Sequence, residues 1–160
     1  MYRVSEQIVY EFDNIFSIYG KWDAIFANGR MPFPPFDLIT KCYDGLAFRE
    51  KWTISRNMIS RSTKMNYLID FSKNKYIPVA SAFNGLGVYT YKSIEKSKYS
   101  TFEDPYNCEH VGLHYNMHKN GFNKLFINKN LIIYTGKQGP PNKFKPIIKM
   151  LYDNSSSSIV

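Results

Sequence analysis

KWDAIFANG, residues Lys21 to Gly29, is the stretch on which the fold turns. Its apolar run from Trp22 to Ala27 reads as a short buried strand, halted by the turn pair Asn28-Gly29. Upstream, Val4, Ile8, Phe12, Ile15, Phe16 and Tyr19 recur at helical spacing, and Gly20 stands where a C-terminal cap belongs. Downstream, RMPFPPFDLITK carries three prolines and must be irregular or extended. Tyr43 to Trp52 reads as a strand or helix edge, and Met65 to Phe71 as a helix turn inside a polar, basic region. Ile77 to Phe83 is a second buried-strand pattern, closed by Asn84-Gly85-Leu86-Gly87, after which Val88 to Tyr91 alternates like a strand. Tyr99 to Asn107, with Glu103-Asp104-Pro105 inside it, is loop. Glu109 to Asn120 suits a helix capped by Gly121. Phe122 to Ile127 and Leu131 to Tyr134 read as two strands about a turn at Asn128-Lys129-Asn130. This alternation predicts one α/β domain over residues 1–152, with residues 153–160 a disordered tail.

Composition bounds what such a domain can do. At 160 residues it is one small domain or part of a larger one. Hydrophobic residues make up 44% of the chain, enough for a packed core, and 13 Tyr with 12 Phe predict that much of that core is aromatic. Lys and Arg outnumber Asp and Glu by 21 to 13, a surplus that favours anionic partners such as nucleotides, phosphosugars, nucleic acid or acidic membrane. The basic residues are scattered without a run, which argues against nucleic-acid binding. Cys42 and Cys108 stand far apart in no metal or redox motif and read as reduced thiols. Neither a signal peptide nor a membrane span is visible, so a cytoplasmic location is expected.

Three places carry candidate chemistry. All three histidines, His110, His114 and His118, fall four apart in CEHVGLHYNMH, with Glu109 just ahead of them. A zincin helix places its glutamate after the first histidine, where Val111 stands here, and Gly112 weakens a rigid ligand platform. A partly wet helix face with one or two hydrogen-bonded imidazoles is the simpler reading, and the residues leave a zinc site open as the sharper one. In FNGLG, Gly85 and Gly87 serve either a bend or a close backbone approach, and Thr90 stands where a dinucleotide fingerprint needs glycine. Asp44 and Arg49, in YDGLAFR, read most simply as a buried ion pair.

Taken in order, WDAIFANG, YDGLAFR, SAFNGLGVY, CEHV and GFNKLFINKNL resemble the latter half of a GT-A glycosyltransferase, over about residues 18 to 134. The richness in Asn, Lys, Ile and Tyr also resembles that of AT-rich genomes such as those of giant viruses. The resemblance implies a Rossmann-like GT-A fold and transfer of a hexosyl group from a nucleotide-sugar to a glycan or protein hydroxyl acceptor. It places Phe83, Asn84, Gly85, Leu86 and Gly87 beside the donor sugar, with Asn84 standing at a usual glycine. Glu109 falls where inverting members keep the catalytic base, and His110 where many relatives carry a second acid. A carboxylate at a helix N-terminus is favoured by the dipole and can accept a hydroxyl proton. Asn28 and Gly29 would end the strand bordering the cleft, and Asp44 and Arg49 would line or brace it.

The chain also departs from the pattern. The family implies Mn²⁺ or Mg²⁺ held by a D-x-D motif, and no D-x-D occurs in the sequence. The motif would lie upstream of the first helix, so the N-terminal nucleotide-binding strands are expected to be missing here. A metal-binding histidine after the last strand is likewise absent near Tyr134 to Gly136. Such a sheet would expose an edge and apolar surface, which predicts a companion chain or self-association. A non-catalytic remnant that binds a glycan or protein is the alternative.

Overall fold

A computed structural model describes residues 6–33, 36–52, 58–100 and 108–134. In chain order it contains α1 (Glu6–Ser17), β1 (Ala24–Phe33), β2 (Phe36–Cys42), α2 (Met58–Phe71), β3 (Tyr76–Pro78), β4 (Gly87–Tyr89), α3 (Tyr91–Glu95), α4 (Glu109–Lys119) and β5 (Leu125–Tyr134). The class is mixed α/β, and the five strands form one mixed sheet. β1 is its centre. On one side β1 runs parallel to β5 along both halves; on the other it pairs antiparallel with β4 through Ala24–Phe26 and with β2 through Arg30–Phe33. β3 lies antiparallel on the far side of β5.

The sequence of β1 explains its central place. Ala24 and Phe26 join one buried cluster with Phe48, Met65, Ile69, Leu113 and Met117, while Ile25 and Ala27 join another with Ile15, Trp22 and Leu131. A strand buried on both faces shows a continuous apolar run instead of alternation. α2 and α4 therefore supply one layer and α1 the other, and the Trp22 indole donates to Ile15 O at 3.1 Å to tie α1 to the strand.

Several expectations need correction. β1 does not stop at Asn28-Gly29 but continues to Phe33, and Gly29 is not in the left-handed region. Leu125 to Tyr134 forms one strand, where two were expected over Phe122 to Ile127 and Leu131 to Tyr134. Between the pairs Phe26–Ile127 and Asn28–Ile132, Ala27 alone faces Asn128 to Leu131, so the expected turn is a bulge within β5. Asn28 Nδ2 holds that bulge through Lys129 O at 2.8 Å, and Asn128 Nδ2 donates to buried Glu11 at 2.8 Å. Lys75 completes the set with a 2.9 Å ion pair to Glu11.

α2 is twice the expected helix turn, and α3 occupies a stretch where no helix was predicted. β3 is only three residues long, because beyond Pro78 the chain leaves the sheet toward the Arg49–Ser81 bridge. Tyr43 to Trp52 is a turn region rather than a strand or helix edge. The core is also less aromatic than composition predicts. Among the side chains whose burial is described, Trp22, Phe26 and Phe48 are the buried aromatics, whereas Tyr10, Phe16, Tyr19, Tyr67, Phe71, Tyr91 and Tyr99 are exposed. A tyrosine hydroxyl is easier to leave in water than to satisfy inside, and most of the buried hydrophobic positions are aliphatic. The expected loop at Glu103-Asp104-Pro105 and the tail from Thr135 lie outside the described residues. Among the described residues no helix is long and apolar enough to cross a membrane.

Candidate functional site

Four of the sequence motifs meet around Gly29. Its carbonyl accepts from Tyr43 N at 2.9 Å, which docks the YDGLAFR segment, and a Cβ on Gly29 would overlap the Asn84 carbonyl. This glycine is needed for close approach, not for a turn. Asn84 and Gly85 are consecutive left-handed residues, with φ 57° and 87°, and Leu86 N closes the reversal onto Phe83 O at 3.3 Å. The turn is bolted to β1 from both sides: Asn84 Nδ2 donates to Ala27 O at 2.9 Å, and Ala27 N donates to Leu86 O at 3.0 Å. Asn84 Oδ1 is buried without a hydrogen-bond partner. Gly87 matters for space, since a Cβ there would press into the Tyr89 ring at 2.8 Å.

The first turn of α4 stands next to that reversal. The His110 ring stacks on Phe83 with centroids 3.9 Å apart, and Tyr99 meets its edge at 6.0 Å. Its Nδ1 lies 3.3 Å from Glu109 Oε1, whose side chain is 66% exposed against 15% for His110. Asp44 belongs to the same locality. Burial raises its carboxyl above the usual range, the Ala47 amide and His110 pull it back, and Glu109 adds to the rise. Arg49 is buried, its Nη1 donates to Leu46 O and Phe48 O at 2.8 Å each, and its backbone pairs with Ser81. The simple Asp44–Arg49 pair is therefore not what that nitrogen makes. The charges acting on Asp44 are those of α4.

The histidine row divides into three environments. His110 is half-buried in the aromatic stack, His118 is exposed, and His114 is fully enclosed. Ser81 Oγ sits 2.8 Å from His114 Nδ1 and Tyr89 OH 3.0 Å from Nε2, so both ring nitrogens are occupied. Burial, with His110 adding, lowers this imidazole to about 3. A zinc pair at this spacing is thereby excluded, and the face is not wet at its middle position.

Cys108, Glu109 and His110 do bring one ligand atom each within 4.8 Å of one another. This set does not suit the Mn²⁺ or Mg²⁺ that the resemblance implies. Those ions take oxygen ligands, whereas here a thiol, raised by burial, stands at a helix N-terminus whose dipole disfavours a cation. It is the only such group among the described residues.

The residues brought together are thus Asn28, Gly29, Asp44, Phe83, Asn84, Gly85, Glu109 and His110, with Gly87 and Arg49 in support. Sequence reasoning missed Ser81, Tyr89 and Tyr99, which fix the two imidazoles, because nothing in their spacing pairs them with α4. It also missed Arg61, a buried cation on a helix whose apolar pattern is weak. No protein-family model, no curated protein and no solved structure matches the chain.

Proposed function

We propose that this chain is a sugar-transfer domain of GT-A type, acting on a nucleotide-sugar donor and a hydroxyl acceptor. The observation that carries the reading is the convergence about Gly29 of the left-handed Asn84-Gly85 turn, Asp44, and the Glu109–His110 start of α4. In this reading the exposed Glu109 carboxylate accepts the acceptor's hydroxyl proton. The acceptor oxygen then bonds to the anomeric carbon, and the bond from that carbon to the diphosphate oxygen breaks. His110, clamped between Phe83 and Tyr99, fixes the carboxylate's direction. The tight turn lets main chain approach the sugar closely, which no side chain could do at Gly85. The net charge of +8 favours the anionic donor and its leaving group. No step is assigned to a divalent ion, since no suitable donor set lies among the described residues.

A nucleotide-sugar that binds here should raise Tm in a thermal-shift panel of UDP- and GDP-hexoses, by a few degrees at concentrations well above Kd. Phe83→Ala should weaken that response without abolishing folding. A second reading, a non-catalytic remnant, draws on the unsuitable metal set at α4. It predicts a Tm rise with an oligosaccharide and none with any nucleotide-sugar.

A further inference from the structure

We propose that Arg61 is the anchor of an oxyanion site that takes a phosphate-class ligand. Arg61, Met65 and Ile69 recur at four-residue spacing on α2 and are all buried, Arg61 to 4% exposure, so the guanidinium lies on the helix face that packs into the core. Its Nε, Nη1 and Nη2 are enclosed, and none has a hydrogen-bond partner. An arginine cannot escape burial by losing its proton, as a lysine or histidine can. A buried charge without a partner is strongly destabilising.

The other buried charges make the contrast. Glu11 has Asn128 and Lys75, Arg49 has two carbonyls, and even the only half-buried Arg30 has Asn28 and Asp70. Nor is α2 free to turn Arg61 outward. Asn66 Oδ1 accepts from Cys42 N at 2.9 Å, Asn66 Nδ2 donates to Ser62 O at 2.8 Å, and a Cβ at Gly45 would overlap the Ser62 hydroxyl. The helix is pinned against the end of β2 at Asn66 and against the turn that follows β2 at Ser62, one residue after the cation.

The ligand class follows from the arrangement of the orphaned donors. A guanidinium presents two edges, Nε with Nη2 and Nη1 with Nη2; an oxyanion pairs with one edge through two oxygens, and a phosphate brings more charge and more acceptor oxygens to that pairing than a carboxylate does. Free phosphate and the diphosphate of a nucleotide share this chemistry. The inference does not rest on sugar transfer, although the second source would join the two.

The test is the Tm of the full chain in a phosphate-free buffer at fixed ionic strength, titrated separately with inorganic phosphate and with UDP, for wild type, Arg61→Met and Arg61→Lys. Wild type should gain several degrees, and Arg61→Met should match or exceed its starting Tm yet gain nothing. If Arg61→Met fails to fold, Arg61→Lys, which keeps the charge and loses the fork, should need about tenfold more anion. Saturation by UDP at roughly tenfold lower concentration than phosphate would identify the nucleotide as the source, and equal responses would identify the free oxyanion. A wild type indifferent to both anions, or variants that respond as wild type does, would overturn the proposal. A phosphate response with no response to any nucleotide-sugar would sink the transfer reading and leave Arg61 standing.

Discussion

His114 is the residue with the sharpest measurable consequence. Its folded-state pKa of about 3 lies below the ordinary histidine value of 6.5, so between those values the unfolded chain binds the proton and the folded chain does not. Stability from this group is full above pH 6.5 and falls as pH drops toward 3, by at most about 1.4 kcal/mol per pH unit. Denaturant melts at pH 7, 6, 5 and 4 should show the slope, and His114→Gln should flatten it in the pH 6 to 5 interval. Gly29 gives a second prediction. Because a Cβ there meets the Asn84 carbonyl rather than a movable side chain, Gly29→Ala should cost at least about 2 kcal/mol in chemical denaturation. The left-handed need at Gly85 and the start of a helix at Glu109 could be anticipated from FNGLG and CEHV. The enclosure of His114 could not, since its partners Ser81 and Tyr89 are distant in sequence and neither is of a type reserved for pairing.

At the scale of elements, α4 shows how a local rule is overridden. Glycine inside a helix costs about 1 kcal/mol relative to alanine, so Gly112 reads as a weakness in isolation. In the structure a Cβ at Gly112 would run into the Ser100 carbonyl, and the helix grips the same segment through Asn116 Nδ2 to Lys98 O at 2.8 Å and Asn120 Nδ2 to Lys96 O at 2.6 Å. Gly112→Ala should therefore destabilise, by roughly 2 kcal/mol or more, despite its better helix propensity. Circular dichroism melts of that variant decide the matter. α1, α4 and the buried half of β1 were legible because each carries its own periodicity or cap. The joining of two short apolar runs into β5 was not, because the bulge at Asn128 to Leu131 is set by pairing with β1 and by Asn28 and Glu11.

At the scale of the molecule, α/β alternation predicts the class and leaves the mixed pairing open. β1 and β5 lie a hundred residues apart and align in parallel, a pairing that local pattern cannot report. The fold brings four separate motifs to the middle of β1, about Gly29, and the sugar-transfer reading stands on that convergence together with their order in the chain. The metal expected of such a domain finds no suitable ligand set among the described residues, which makes donor chemistry the point to test. The most direct measurement is release of nucleoside diphosphate from a panel of nucleotide-sugars, with and without Mn²⁺ and acceptor, by wild type and Glu109→Gln. Glu109 is mostly exposed, so the variant should melt as wild type does. The account predicts turnover by wild type for at least one donor and a fall of about 10²-fold or more in Glu109→Gln, with donor binding retained. Turnover that survives Glu109→Gln unchanged, or a wild type that neither binds nor cleaves any donor, would contradict it.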